Sequence, residues 1–119
     1  MKLSQMLDVL NAPLELSTDR EVRDALELII QVESLSGGSI ECLRGAFTQG
    51  PLFDGDVPSK TGRDALLEYG MVAKVVVNGE EGYNACTYRG ARAFRLLTAM
   101  NQVTPEMPLP QVPSRIRKK

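Results

Sequence analysis

Apolar residues recur at helical spacing through the first half of the chain, give way to a β-branched run, and then return to helical spacing. Leu3, Met6, Leu7 and Leu10 fall on one face of a short amphipathic helix over residues 3–10, which Pro13 closes. A helix of that length is unstable alone and needs a packing partner, either its own domain or a second subunit. Val22, Ala25, Leu26, Ile29, Ile30 and Val32 give the next helix, from Thr18 to about Ser34, a broad apolar stripe that marks it as the core helix. Its start is a capping box, Thr18-Asp19-Arg20-Glu21, in which threonine and glutamate each take up the other's backbone N–H. Ser36-Gly37-Gly38 stops it.

Ser39 is expected to cap a second, shorter helix from Ile40 to about Thr48, with Ile40, Leu43 and Phe47 on one face and Gly50-Pro51 at its end. Residues 51–57 read as a turn. A third helix starts at Pro58 or Ser59, turns Ala65, Leu66 and Tyr69 inward and stops at Gly70. Met71–Val77 and Tyr83–Tyr88 are two strands joined through Asn78-Gly79-Glu80-Glu81-Gly82. A closing helix follows to about Asn101, lined by Ala91, Phe94, Leu97 and Met100. Beyond it, Pro105, Pro108, Pro110 and Pro113 and the cations Arg115, Arg117, Lys118 and Lys119 predict an extended or disordered basic tail. The chain therefore divides into an N-terminal helix and linker (1–17), a folded domain (18–101) and the tail (102–119).

Composition narrows the chemistry. With no histidine, every Ser-His and Cys-His nucleophile arrangement is excluded, and two cysteines cannot complete a tetrahedral zinc site. No metal, no cofactor and no enzymatic activity are expected. Cys42 and Cys86 are expected to be reduced and buried. Asp54-Gly55-Asp56 lacks the further ligands and closing glutamate of a calcium loop, so a turn is expected. Gly55 to Thr61 departs from a P-loop in the position and number of its glycines and in having no preceding strand. No apolar run approaches the ~20 residues of a membrane span, and no secretion signal is evident, so a cytoplasmic protein is expected.

The net charge of −1 conceals an asymmetry. Residues 1–56 carry 4 cations and 10 carboxylates, residues 57–119 carry 10 cations and 5 carboxylates. A basic half on an acidic chain suggests one face made for a polyanion.

Three helices, a hairpin and a closing helix form the layout of a mainly helical α+β winged helix-turn-helix domain, with one β-hairpin wing and short N-terminal and C-terminal helices. Leu66-Leu67-Glu68-Tyr69-Gly70-Met71-Val72 resembles the end of the recognition helix in winged-helix regulators, and Thr87-Tyr88-Arg89-Gly90-Ala91 followed by Leu96-Leu97 is similar to the helix after the wing in MarR- and PadR-type proteins. The resemblance covers about residues 18–100. It implies a sequence-specific binder of double-stranded DNA, a small transcriptional regulator acting as a homodimer. The third helix would enter the major groove with Ser59, Lys60, Thr61 and Arg63, the wing would offer Lys74, and Arg89 and Arg92 would track phosphates. Subunit contacts are expected at Leu3, Met6, Leu7 and Leu10 and at Phe94, Leu97 and Met100. Glu80 and Glu81 at the wing, Gly62 inside the recognition helix and the long connection before it depart from the pattern. They leave an alternative, a winged helix that docks on a protein and has no DNA contact.

Overall fold

The computed structural model describes residues 1–101; the expected basic tail lies outside them. Among these described residues, five α-helices and a three-stranded antiparallel sheet follow one another as α1 (Leu3–Val9), α2 (Asp19–Glu33), α3 (Gly37–Gln49), β1 (Leu52–Phe53), α4 (Lys60–Glu68), β2 (Val72–Val77), β3 (Glu80–Cys86) and α5 (Tyr88–Ala99), with a 3₁₀ turn over Asp54–Asp56. This is an α+β, mainly helical, winged-helix-like fold. Helices α2, α3 and α5 surround the core, α4 lies on α3, and α1 closes the outer side against α2 and α5.

Four of the five helices among the described residues begin at a serine or threonine cap: Thr18, Ser36, Ser59 and Thr87. Thr18 accepts from Glu21 N at 3.2 Å and its own N–H donates to Glu21 Oε1 at 2.8 Å, completing the capping box. Ser36, not Ser39, caps α3 by accepting from Ser39 N at 3.1 Å. The Gly37-Gly38 pair read as a stop is instead the first helical turn. Ser39 is buried within that turn and donates to Gly62 O at 3.1 Å, tying the start of α3 to α4.

The core is built from Leu7 and Leu10 of the α1 end, Ala25, Leu28, Ile29 and Val32 of α2, Leu43 and Ala46 of α3, Leu66 of α4, Met71 and Val72, and Ala93, Phe94, Leu96 and Leu97 of α5. Each buried leucine stabilises the fold by roughly 1.5–3 kcal/mol relative to exposure. One expectation for α2 is corrected. Leu28 is fully buried, whereas Ile30 is 67% exposed, because one further residue rotates it ~100° away from Ile29. Phe47 is also on the rim and stacks on Phe94 with centroids 4.6 Å apart. A second correction concerns the side chains expected at a subunit contact: Met6, Leu7, Leu10, Phe94 and Leu97 are buried within this chain, and among that set Leu3 is the exposed one.

The sheet order is β1-β3-β2, so the hairpin gains a third strand at residues expected to form a turn. Leu52 pairs with Asn84 and Phe53 with Tyr83. The hairpin turn is also tighter than expected. Asn78 and Gly79 both have positive φ (52° and 78°), the requirement of a two-residue turn that follows the strand twist. Glu80 and Glu81 therefore belong to β3. Val77 pairs with Glu80 and Val75 with Tyr83, so β3 carries one extra residue there, a bulge.

Candidate nucleic-acid interface

The N-terminus of α4 is the part of the fold that the resemblance assigns to a DNA groove. Ser59 caps it, accepting from Gly62 N at 2.9 Å, while its carbonyl accepts from Cys42 Sγ at 3.1 Å. Ser59 is thus held to α3 and serves the helix rather than a ligand. Lys60 and Thr61 are exposed on the first turn. Behind them, α4 comes unusually close to α3: a Cβ on Gly62 would lie 2.6 Å from Ser39 N and 2.7 Å from Gly38 C. Glycine at that position lets the two backbones meet and fixes how the first turn of α4 is presented. This is the physical reason for a glycine inside the helix, where it otherwise costs ~1 kcal/mol.

Arg63 points the other way along the surface. Its Nη1 donates to Asp54 Oδ1 at 2.8 Å and its Nε to Asp64 Oδ1 at 2.9 Å, and its side chain is only 15% exposed. Lys74 of β2 donates to the same Asp54 Oδ1. A third donor, Asn84 Nδ2, reaches that oxygen at 2.9 Å and also donates to Leu52 O at 3.0 Å. Asn84 is 2% exposed and buried at the middle of the sheet. One carboxylate oxygen therefore gathers donors from α4, β2 and β3. Burial pushes the Asp54 carboxyl up, but the hydrogen bonds from Lys74 and Asn84 and the charges of Lys74 and Arg63 outweigh it and hold the group below the ordinary aspartate range. The turn that carries Asp54 is thus occupied by the protein's own cations.

Arg89 and Arg92 are placed elsewhere. Arg89 donates to Gln31 Oε1 (2.7 Å), Asp24 Oδ1 (3.2 Å) and Glu27 Oε1 (3.3 Å) of α2. Arg92 donates to Asp24 Oδ2 (3.0 Å) and to Leu10 O (2.9 Å). These two arginines fasten α5 to α2 and to the end of α1. Arg95, one turn further along α5, is exposed.

The seven residues singled out from sequence accordingly fall into four groups. Lys60 and Thr61 stand open on α4. Arg63 and Lys74 converge on Asp54. Ser59 is a helix cap, and Arg89 and Arg92 join helices. The sequence reading missed Asp54 and Asn84 as members of this surface. Asp54 left a signal, a carboxylate nine residues before an arginine in the next helix. Asn84 left none, since a single amide in a strand gives no hint of the carbonyl it faces.

The balance of charge over the same region is acidic. Residues 52–86 carry Lys60, Arg63 and Lys74 against Asp54, Asp56, Asp64, Glu68, Glu80 and Glu81. Among the described residues, no helix is long and apolar enough to cross a membrane. In comparisons with known proteins, no family model, no curated protein and no solved structure matches this chain.

Proposed function

We propose that this protein is a cytoplasmic, sequence-specific DNA-binding regulator that reads double-stranded DNA through the first turn of α4. One observation carries the reading: Lys60 and Thr61 stand exposed on the first turn of α4, which the close approach of Gly62 to the backbone of α3 holds in a fixed place. An exposed cation and hydroxyl on a firmly seated first turn suit a helix that enters a groove, while Arg63 and Lys74 are taken up by Asp54. Lys60 then faces guanine or phosphate, and the Thr61 hydroxyl suits either a base edge or the backbone.

A nine-residue helix contacts few base pairs, so two copies on two half-sites complete the specificity. Leu3, Leu14 and Leu16 are exposed apolar groups that such a pair could bury. Sedimentation in the presence of a palindromic duplex tests the pairing, and a 1:1 complex at saturation removes it.

The test of DNA binding itself is fluorescence anisotropy on random duplex at two salt concentrations. Steeply salt-dependent retention supports the reading, and no retention at low salt defeats it.

A second reading has its own observation. Six carboxylates against three cations across residues 52–86 repel a polyanion and suit a basic protein surface, with Val76 exposed on the wing as an apolar anchor. Loss of the DNA result in favour of a protein-docking module follows if the duplex is never retained.

A further inference from the structure

We propose that Asp54 acts as an internal stand-in for a DNA phosphate, occupying the cation pair of Arg63 and Lys74 and so setting how tightly, and how salt-sensitively, the protein holds DNA. The proposal rests on the DNA-binding reading and deepens it by naming the residue that limits affinity.

The geometry is that of an anion site with its anion built in. Asp54 Oδ1 takes N–H donors from Arg63 Nη1 at 2.8 Å, from Lys74 Nζ, and from Asn84 Nδ2 at 2.9 Å. A non-bridging phosphate oxygen accepts the same kinds of donor. The carboxylate is not merely a mobile surface group that has found two cations. Asn84 is buried, is itself fixed by its bond to Leu52 O at 3.0 Å, and donates to the carboxylate from the sheet. The Lys74 contact, by contrast, is partly open to solvent, with the Lys74 side chain 46% and the Asp54 side chain 37% exposed. Ion pairs so exposed are weak enough to exchange partners. Arg63 keeps a second carboxylate, Asp64, so Lys74 is the cation that Asp54 most directly withholds.

An occupied pair adds little net positive charge to the DNA-facing surface. A phosphate arriving at Lys74 must displace a carboxylate that stays nearby. Removing that carboxylate charge returns about one cation to the interface, and each phosphate neutralised contributes about 0.9 to the slope of log K against log salt.

The test is a double-mutant cycle in the full-length chain, with anisotropy on random duplex from 50 to 200 mM salt. Asp54→Asn is expected to bind more tightly at low salt, with a slope steeper by about one unit, a loss roughly 4-fold greater than the wild type's across that fourfold range of salt. Lys74→Gln is expected to change little in the wild-type background and to abolish the gained slope in the Asp54→Asn background. Equal effects of Lys74→Gln in both backgrounds overturn the proposal, because a general charge effect is additive. Lys74→Gln alone is a surface change that leaves the fold intact, so a slope decrease of about one unit in that single variant also overturns it. Failure of every variant and the wild type to retain duplex at 50 mM salt overturns the DNA-binding reading itself, and is told apart from the additive result by the absence of any binding.

Discussion

Replacing Gly62 with alanine is expected to destabilise the protein, against the usual direction of a glycine-to-alanine change in a helix. At an unhindered helix position alanine gains ~1 kcal/mol through backbone entropy. Here the added Cβ would stand 2.6 Å from Ser39 N, 2.7 Å from Gly38 C and 2.9 Å from Gly38 O. All three atoms are backbone of the first turn of α3, so no side chain can swing aside. Relief requires α4 to move away from α3, which loosens the Ser39–Gly62 bond of 3.1 Å and the packing of Leu66. Overpacking of this kind costs about 1–3 kcal/mol, and with the lost bond added it exceeds the propensity gain, leaving a net loss of about 1–2 kcal/mol. Urea unfolding is the assay: a lower midpoint at an unchanged slope, matched by a fall in Tm of about 5–10 °C. A midpoint equal to or above that of the wild type refutes the close approach of α3 and α4, and with it the account of how the first turn of α4 is presented.

Four further outcomes are expected. Thr18→Ala removes the acceptor for Glu21 N and costs about 1 kcal/mol, read by urea unfolding. Glu21 titrates below its ordinary value of 4.5, because the Thr18 N–H and then its hydroxyl donate to it. A depressed carboxyl favours the folded state above the unfolded value, so the box weakens as the pH falls below that value; an NMR titration giving an ordinary Glu21 contradicts this. Burial pushes the Cys86 thiol up to about 11, so its alkylation rate is expected to keep climbing well past pH 9, and a plateau near pH 9 counts against the burial. Lys60→Glu is expected to weaken duplex binding and shallow the salt slope by about one unit or more, with Tm unchanged because the residue is exposed at a helix start where a negative charge is tolerated.

Much of the fold was legible because local chemistry decided it. The Thr18 capping box and the β-branched run of β2 place elements without reference to anything distant. The misread positions depend on partners far along the chain. Ser39 looked like a cap, but its hydroxyl is used by Gly62, 23 residues away. Leu52 and Phe53 are too few to show a strand pattern and become β1 only because β3 has an open edge for them. The candidate interface was legible as a set of cations, and less so as a surface. Arg89 and Arg92 have the spacing of a phosphate stripe, but facing carboxylates of α2 take them up. Hydrophobic periodicity cannot reveal which acid lies opposite which base.

The most direct test of the central claim is to map the duplex onto the protein by amide chemical-shift changes in the full-length chain. Changes concentrated on Lys60, Thr61, Arg63 and Lys74 are the predicted result, with α2 and α5 unaffected. Changes confined to residues 102–119, or absent throughout, contradict recognition by α4 and leave the winged-helix-like face for a protein partner.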